Sequence, residues 1–360
     1  EERRLRLKKF GSSVYLLEPH IKEGDGGLRD YHLIQNLWHG LGKTWPPEPE
    51  ESELLSTDEW QALERSFSFL LKVRLHLHSL QQKGSDQIRF AWQIELAEKL
   101  GFVDENETGT LAVEKFMSDY YFAAREISTI TRFFLWRLED ELFSQNSTPP
   151  SKMSKLELPE PFFVSDNKLF IQNESEIVSR PEILMQAFLI MQEHGLSLHY
   201  STQEMIIRHL PLVDLAYRRH PVVIGMFRRI MTHLPDLGKT LRAMHDVDFF
   251  DHFIPEFRNL KNRVQHDVYH VYTVDTHSIF SCEQLDFLAS GHFDHEFPDF
   301  KKALQEVNNP DILSLALLFH DIGKGKGGNH SVKGARIAKS IMDRLGYGPS
   351  DQEKVELLVQ

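Results

Sequence analysis

The chain has 360 residues, of which 41% are hydrophobic and 26% charged, so its composition is globular and excludes global disorder. It contains no apolar stretch of about 18 residues, which excludes a membrane-spanning helix, and its net charge of −12 argues against DNA or other nonspecific nucleic-acid binding. The single cysteine, Cys282, excludes an intramolecular disulfide and favours a reducing, cytoplasmic location.

The N-terminal region predicts a helix, a strand and a loop. Five basic residues between positions 3 and 9 favour a solvated helix face. Residues 14–17, Val-Tyr-Leu-Leu, predict a short strand, and residues 22–30 contain three glycines and predict a turn-rich loop. A helix is expected from residue 31 to about residue 41.

Two apolar stripes with steps of three and four residues predict long helices that pack in a core. The first stripe comprises Trp60, Leu63, Phe67, Leu70, Val73, Leu77 and Leu80, and the second comprises Phe116, Tyr120, Ala123, Ile127, Ile130, Phe134 and Leu138. Beyond them, residues 144–151 are polar, small and proline-rich, which predicts a linker.

After this linker the sequence predicts a small hairpin and then further helices. Apolar residues 162–164 and 168–171 flank Asp166-Asn167, a pattern typical of a β-hairpin. Pro181 opens a helix that ends near His194-Gly195, where glycine suits the helix end, and short helices follow to about residue 251. The predicted fold class is mainly α, with a small β element near the N-terminus and a short hairpin at residues 162–171.

Three His-Asp dipeptides are candidates for chemistry, at residues 245–246, 266–267 and 320–321. Only His320-Asp321 follows an almost wholly apolar helix, which opens at Pro310, and precedes a loop of Gly and Lys residues. Burying a carboxylate beside an imidazole is costly unless a cation pairs with them. His320-Asp321 is therefore predicted to hold a metal ion, and Lys324 and Lys326 of the loop suit a phosphate.

Further metal ligands have to come from other parts of the chain. His277 is the nearest upstream candidate, because Thr273 or Thr276 can cap a helix there and place His277 in its first turn. A hydrogen-bonded histidine at a helix start is the alternative. His270 fits structural packing better. His330 can be a second-metal ligand, a phosphate contact or a loop residue, and we favour the phosphate-facing roles.

The spacing from His277 to residues 320–324, His-Asp-Ile-Gly-Lys, resembles the HD superfamily of metal-dependent phosphohydrolases. Longer strings, at residues 15–19 and 21–30 and again at 266–275 and 320–331, resemble the bacterial PII uridylyltransferase/uridylyl-removing family. The resemblance implies four segments: the end of a nucleotidyltransferase region (1–30), a helical domain (31–148), a helical connector with the hairpin (149–262) and an HD-type helical bundle (263–360).

The resemblance also implies a reaction and its partners. In full-length members of the family, one domain transfers UMP from UTP to a tyrosine of the PII signal protein, and the HD domain removes the UMP by hydrolysing its bond to the tyrosine. Glutamine shifts the balance through C-terminal ACT domains. The metal implied for the HD domain is Mg²⁺ or Mn²⁺, which activates a water molecule for phosphodiester hydrolysis.

Site roles follow from the resemblance. The implied metal ligands are His277, His320 and Asp321, the implied catalytic residues are His320, Asp321 and Lys324, and the implied phosphate contacts are Lys324, Lys326 and His330. A loop near the N-terminus, with Lys22, Gly24, Gly26, Gly27 and Arg29, either approaches the nucleotide or forms an ordinary turn between strand and helix.

The sequence departs from the family plan in two places. Gly-Ser and Asp-x-Asp pieces at residues 11–12, 84–85 and 246–248 lack the spacing of a transferase site, so that site is expected outside this chain. A distal aspartate ligand and the ACT domains are expected beyond residue 360. The alternatives are a stand-alone HD hydrolase of nucleotides, which would not need the loop at 22–30, and a non-catalytic HD-type scaffold, which would not need an intact His-Asp pair.

Overall fold

The structure is a computed structural model that describes residues 1–11, 13–47, 54–81, 84–105, 111–144, 156–234, 236–263, 273–325 and 329–360. The prediction of a mainly helical fold is confirmed. The chain divides into two compact units, one of residues Glu1–Thr148 with Asn262–Val274 and one of residues Pro149–Lys261 with Asp275–Gln360. The finer division into four segments stays a prediction.

The first unit is built from helices. They are α1 (Glu2–Phe10), α2 (Leu28–Gly40), α3 (Thr57–Leu80), α4 (Phe90–Lys99) and α5 (Ala112–Ser144). The long helix α5 packs against α2, α3 and α4. Both predicted apolar stripes lie on these helices, and their members Leu70 and Phe134 are fully buried in one core. The predicted linker at 144–151 lies outside the described residues, apart from the backbone of its first residue.

The strand predicted at residues 14–17 is wrong, because this segment forms a turn and bend. Two of its backbone carbonyls accept hydrogen bonds from side chains of distant helices rather than from a neighbouring strand. The Tyr121 hydroxyl of α5 donates to the Leu16 carbonyl at 2.7 Å, and the Gln93 amide of α4 donates to the Leu17 carbonyl at 2.7 Å. In the described part of this region, the β pairing is one isolated bridge between His20 and Gln87.

The solvated helix face predicted for residues 3–9 is also wrong for two of its five basic residues. Arg6 is buried, and its guanidinium lies 2.6 Å from the fully buried Asp30 carboxylate. Arg3 contacts the same carboxylate at 2.9 Å and Asp25 at 2.7 Å. Because a buried carboxylate needs compensating charge, α1 is fixed to the first turn of α2 by this cluster.

The second unit combines a small sheet with many short helices. Its strands are β1 (Phe162–Ser165), β2 (Lys168–Ile171) and β3 (Ser197–Leu198). Its first helices are α6 (Ser175–Ser179), α7 (Ile183–Glu193), α8 (Tyr200–Arg208), α9 (Leu215–Arg219), α10 (Pro221–Thr232), α11 (Leu237–Asp246) and α12 (Phe249–Phe253), with 3-10 turns at Leu210–Leu212 and Pro255–Leu260. The later helices are α13 (Val274–Ala289), α14 (Pro298–Gln305), α15 (Pro310–Phe319), α16 (His330–Arg344) and α17 (Pro349–Val359).

The predicted hairpin is present. β1 pairs with β2 in antiparallel register, and the two turn residues Asp166 and Asn167 have φ values of 48° and 61°. Such left-handed values are those of the two-residue turns that match the twist of a hairpin. The sequence did not predict β3, which is two residues long and pairs with β2 in parallel.

The helix that leads to the predicted metal site lies in the interior of the second unit. α15 begins at Pro310 and packs against α10 and α17, with Ile312, Leu315 and Leu318 buried. Its apolar surface therefore faces neighbours on several sides, as predicted for a buried helix. Across the described residues we find no helix whose length and apolarity would let it cross a membrane.

We predict that Asp30→Ala lowers the free energy of unfolding by about 3–5 kcal/mol, because Arg3 and Arg6 would lose the carboxylate that compensates them. This change is measured by urea denaturation, from the unfolding transition of the first unit. Glu95→Ala, on the exposed face of α4, is the matched control and should change the free energy by less than about 0.5 kcal/mol. Equal effects of the two substitutions would contradict the role of the Asp30 cluster.

Candidate metal centre

His320 and Asp321 lie directly after the last residue of the buried helix α15. His320 is half-buried, and Asp321 is buried. The apolar sequence of α15 places this polar pair at the inner end of the helix, as the sequence predicted. A carboxylate in such a place needs a partner of opposite charge.

His277 comes from a different helix. α13 begins at Val274, directly after Thr273, which is one of the two positions where the sequence predicted a helix cap. His277 therefore lies in the first turn of α13, half-buried, and Ile279 and Cys282 of the same helix are buried.

The structure brings His277, His320 and Asp321 together. One ligand atom from each of these side chains lies within 4.8 Å of the corresponding atoms of the other two. The two imidazole rings have their centroids 5.2 Å apart and are inclined at 71° to each other. Two imidazoles and one carboxylate form a donor set that suits a divalent first-row transition metal, and Mn²⁺ is one of these ions.

The hydrogen bonds around His320 orient its ring for ligation. Its Nδ1 atom lies 2.6 Å from the Leu317 carbonyl oxygen. Because a carbonyl only accepts, Nδ1 carries the proton and Nε2 is directed to the centre. Nε2 lies 3.2 Å from Asp321 Oδ2. A backbone carbonyl that fixes the distal nitrogen in this way is the usual partner of a metal-binding histidine.

Charges within the centre favour an ionised carboxylate. Burial alone would raise the pKa of Asp321, but hydrogen bonds and charges from His320 and Lys324 outweigh it and hold this pKa well below its ordinary value. Burial alone would lower the pKa of His320, but the hydrogen bonds to Asp321 and to the Leu317 carbonyl raise it overall. The carboxylate is thus negative in the neutral range, and a metal cation would replace the proton that it draws onto His320.

The loop after Asp321 contributes a cation and a close backbone contact. Lys324 is only 9% exposed, and its ammonium lies 2.8 Å from Asp321 Oδ2. At Gly323 an added Cβ would lie 2.0 Å from the His330 carbonyl oxygen, so only glycine lets the loop approach the first turn of α16 this closely. The His330 side chain is exposed at the start of α16. Lys326 lies outside the described residues.

The other two His-Asp dipeptides do not join this cluster in the part of the chain that is described. His245 is buried at the end of α11, and its Nε2 atom lies 3.4 Å from Oδ2 of the fully buried Asp275. The dipeptide at 266–267 and His270 lie outside the described residues. The sequence did not predict a role for Asp275, although this residue lies two positions before His277.

The glycines of the N-terminal loop have structural reasons of their own. Gly26 has a φ of 67°, and an added Cβ would lie 1.8 Å from the Ala124 carbonyl oxygen of α5. Added Cβ atoms at Gly24 and Gly27 would each lie 2.8 Å from a carbonyl oxygen of the loop or its flank. Their backbone N–H groups donate within the loop and its neighbouring turns. Two charged residues of this loop, which the resemblance places near a nucleotide, are accessible: the Lys22 side chain is part-exposed and the Arg29 side chain is about half exposed.

Family models match three parts of the chain. Residues 1–135 match the family GlnD PII-uridylyltransferase, residues 162–253 match the Uridylyltransferase GlnD third domain, and residues 293–360 match the HD domain. His320, Asp321 and Lys324 lie inside the HD match, whereas His277 precedes it. An HD domain implies dependence on a divalent metal ion, and the three donors described above are the candidate site for it.

Similar curated proteins are found in several bacteria, and each of the three named here is called a bifunctional uridylyltransferase/uridylyl-removing enzyme. The relative from Novosphingobium aromaticivorans is 32% identical over 366 residues, which cover all of this chain and 40% of the relative. Those from Rhodospirillum rubrum and Azospirillum brasilense are 33% and 32% identical and are covered to 38% and 39%. The chain thus spans about two fifths of the length of the curated relatives it matches.

We predict that His320→Ala and His277→Ala each weaken Mn²⁺ binding by more than the roughly hundredfold that loss of an outer partner of a ligand costs. Titration calorimetry with Mn²⁺ measures the dissociation constant. His295→Ala, which removes an exposed histidine of the same unit, is the control and should leave the affinity unchanged. Retention of full affinity by either ligand variant would remove that residue from the site.

Proposed function

We propose that this chain is part of a GlnD-type PII uridylyltransferase, and that its second unit hydrolyses the bond between UMP and a tyrosine of a PII signal protein. The family joins a uridylyltransferase to an HD-type uridylyl-removing activity. One observation carries the proposal: His277, His320 and Asp321 offer converging ligand atoms at the end of a buried helix.

The metal of the proposed site is Mg²⁺ or Mn²⁺, held by His277, His320 and Asp321. When bound, such an ion lowers the pKa of a water molecule and polarises a phosphoryl oxygen. The donors support this assignment because Asp321 is ionised in the neutral range and His320 is already oriented by the Leu317 carbonyl.

The residues of the chain have separate roles in the proposed reaction. Water attacks the phosphorus atom, the bond to the tyrosine oxygen breaks, UMP leaves, and the phenol takes up a proton. The Lys324 ammonium lies 2.8 Å from Asp321 Oδ2, and we assign it to the negative charge that develops on the phosphoryl oxygens. Lys326 and His330 follow it by two and six residues in the sequence, and we assign them to the phosphate group of the bound substrate.

The wider activity of the protein is also part of the proposal. UTP is the nucleotide donor of the transfer reaction, glutamine regulates the balance through ACT domains elsewhere in the protein, and the enzyme acts in the cytoplasm. Lys22 and Arg29 of the first unit are assigned to the nucleotide, through their side chains. Gly24, Gly26 and Gly27 of the same loop are assigned to the nucleotide side as well, and Gly26 also lets the loop pack closely against α5.

We predict that Lys324→Ala lowers kcat for the release of UMP from uridylylated PII by about 10²–10³-fold, as loss of one donor to a developing oxyanion does. UMP release is measured by chromatography with Mn²⁺ in excess, on this chain and on a longer version that continues past residue 360. Lys354→Ala, in an exposed part of α17, is the control and should retain wild-type turnover.

Three outcomes would contradict this assignment. Unchanged turnover of Lys324→Ala would remove Lys324 from the reaction. Release of phosphate or UMP from free nucleotides but not from uridylylated PII would favour a stand-alone nucleotide hydrolase. Binding of PII without metal binding or turnover in either version would favour a non-catalytic scaffold.

A further inference from the structure

Helix α11 lies along α13, the helix that presents His277, and contacts it at both ends and in the middle. At the C-terminal end of α13, the Asp286 carboxylate accepts the backbone N–H groups of Leu237 and Gly238, at 3.2 and 2.7 Å. These are among the first N–H groups of α11, which have no partner inside their own helix. The carboxylate of one helix therefore caps the other.

The middle contact is unusually close. An added Cβ at Gly238 would lie 2.6 Å from the Cα atom of Glu283, so the two backbones approach to a distance that only glycine permits. Arg242, one turn further along α11, places its Nε atom 2.6 Å from the Glu283 carboxylate. Together these contacts fix the rotation of α13 about its own axis, since a helix turned by one residue would present a different face.

The third contact lies beside the candidate metal centre. His245, at the end of α11, faces Asp275 in the first turn of α13, with 3.4 Å between Nε2 and Oδ2. The side chains are 4% and 0% exposed. The other carboxylate oxygen of Asp275 accepts the backbone N–H of Thr276 at 2.9 Å. Asp275 thus links His245 to the turn from which His277 projects.

We infer that His245 is a positioning residue for the metal ligand His277, acting through Asp275 and the first turn of α13. This gives a role to a His-Asp dipeptide that does not itself supply a ligand. The inference rests on the proposed metal site, because the consequence for the reaction is the orientation of a ligand. A buried carboxylate that lost the facing imidazole would bind α11 less well, and the first turn of α13 would lose one of its contacts with α11.

The first test does not depend on metal. Hydrogen exchange of the backbone amides at residues 278–280 reports how often the first turn of α13 opens. His245→Ala should speed this exchange, and His245→Gln, which retains an N–H donor, should restore most of the protection. Leu241→Ala removes a fully buried side chain of the same helix and is the control for general destabilisation. Unchanged exchange in His245→Ala, or equal changes in His245→Ala and Leu241→Ala, would overturn the inference.

The second test measures the Mn²⁺ dissociation constant of the same variants well below their melting temperatures. His245→Ala should weaken binding by roughly 10–100-fold, the usual cost of losing an outer partner of a ligand, while Leu241→Ala should bind as the wild type does. Wild-type affinity in His245→Ala would overturn the inference even if the metal site is correct. If the wild type bound no Mn²⁺ but the exchange result held, the proposed function would fail and the positioning of α13 by His245 would stand.

Discussion

The buried carboxylate of Asp321 is the constraint on which the site depends. It lies at the end of an apolar helix, where a negative charge is costly unless cations or donors surround it. His320 and Lys324 meet this need on one side at 3.2 and 2.8 Å, and His277 approaches from another helix. The arrangement combines one ionised carboxylate with two imidazoles, a set of donors that a divalent cation can bind. A purely structural ion pair would not need a second histidine.

Close backbone contacts hold the elements of the second unit that carry this chemistry. Gly323 lets the loop after Asp321 lie against the start of α16, and Gly238 lets α11 lie against α13. Neither approach would accommodate a Cβ. Since a metal site tolerates little error in the placement of its ligands, such contacts are more effective supports than flexible side chains would be.

Local patterns in the sequence were sufficient to predict the parts of the fold and site that depend on local structure. The apolar run before His320, the turn at Asp166-Asn167 and the helical stripes each carry their signal within a few residues. The strand expected at 14–17 failed because its carbonyls bind Tyr121 and Gln93, which are 105 and 76 residues away. The prediction that Arg6 lies on a solvated helix face was wrong for the same reason, since its partner Asp30 lies 24 residues further along the chain. Periodicity contains no information about such partners. It likewise could not connect His245 with Asp275, because that contact depends on how two separate helices pack.

The proposed function requires that His277, His320 and Asp321 bind one divalent cation. Crystals of this chain grown with Mn²⁺ and measured at a wavelength where manganese scatters anomalously would test it most directly. We expect one strong anomalous peak bonded to an imidazole nitrogen of His277, to Nε2 of His320 and to a carboxylate oxygen of Asp321. A peak at His245 and Asp275 instead, or three well-ordered side chains with no peak between them at saturating Mn²⁺, would contradict this metal site.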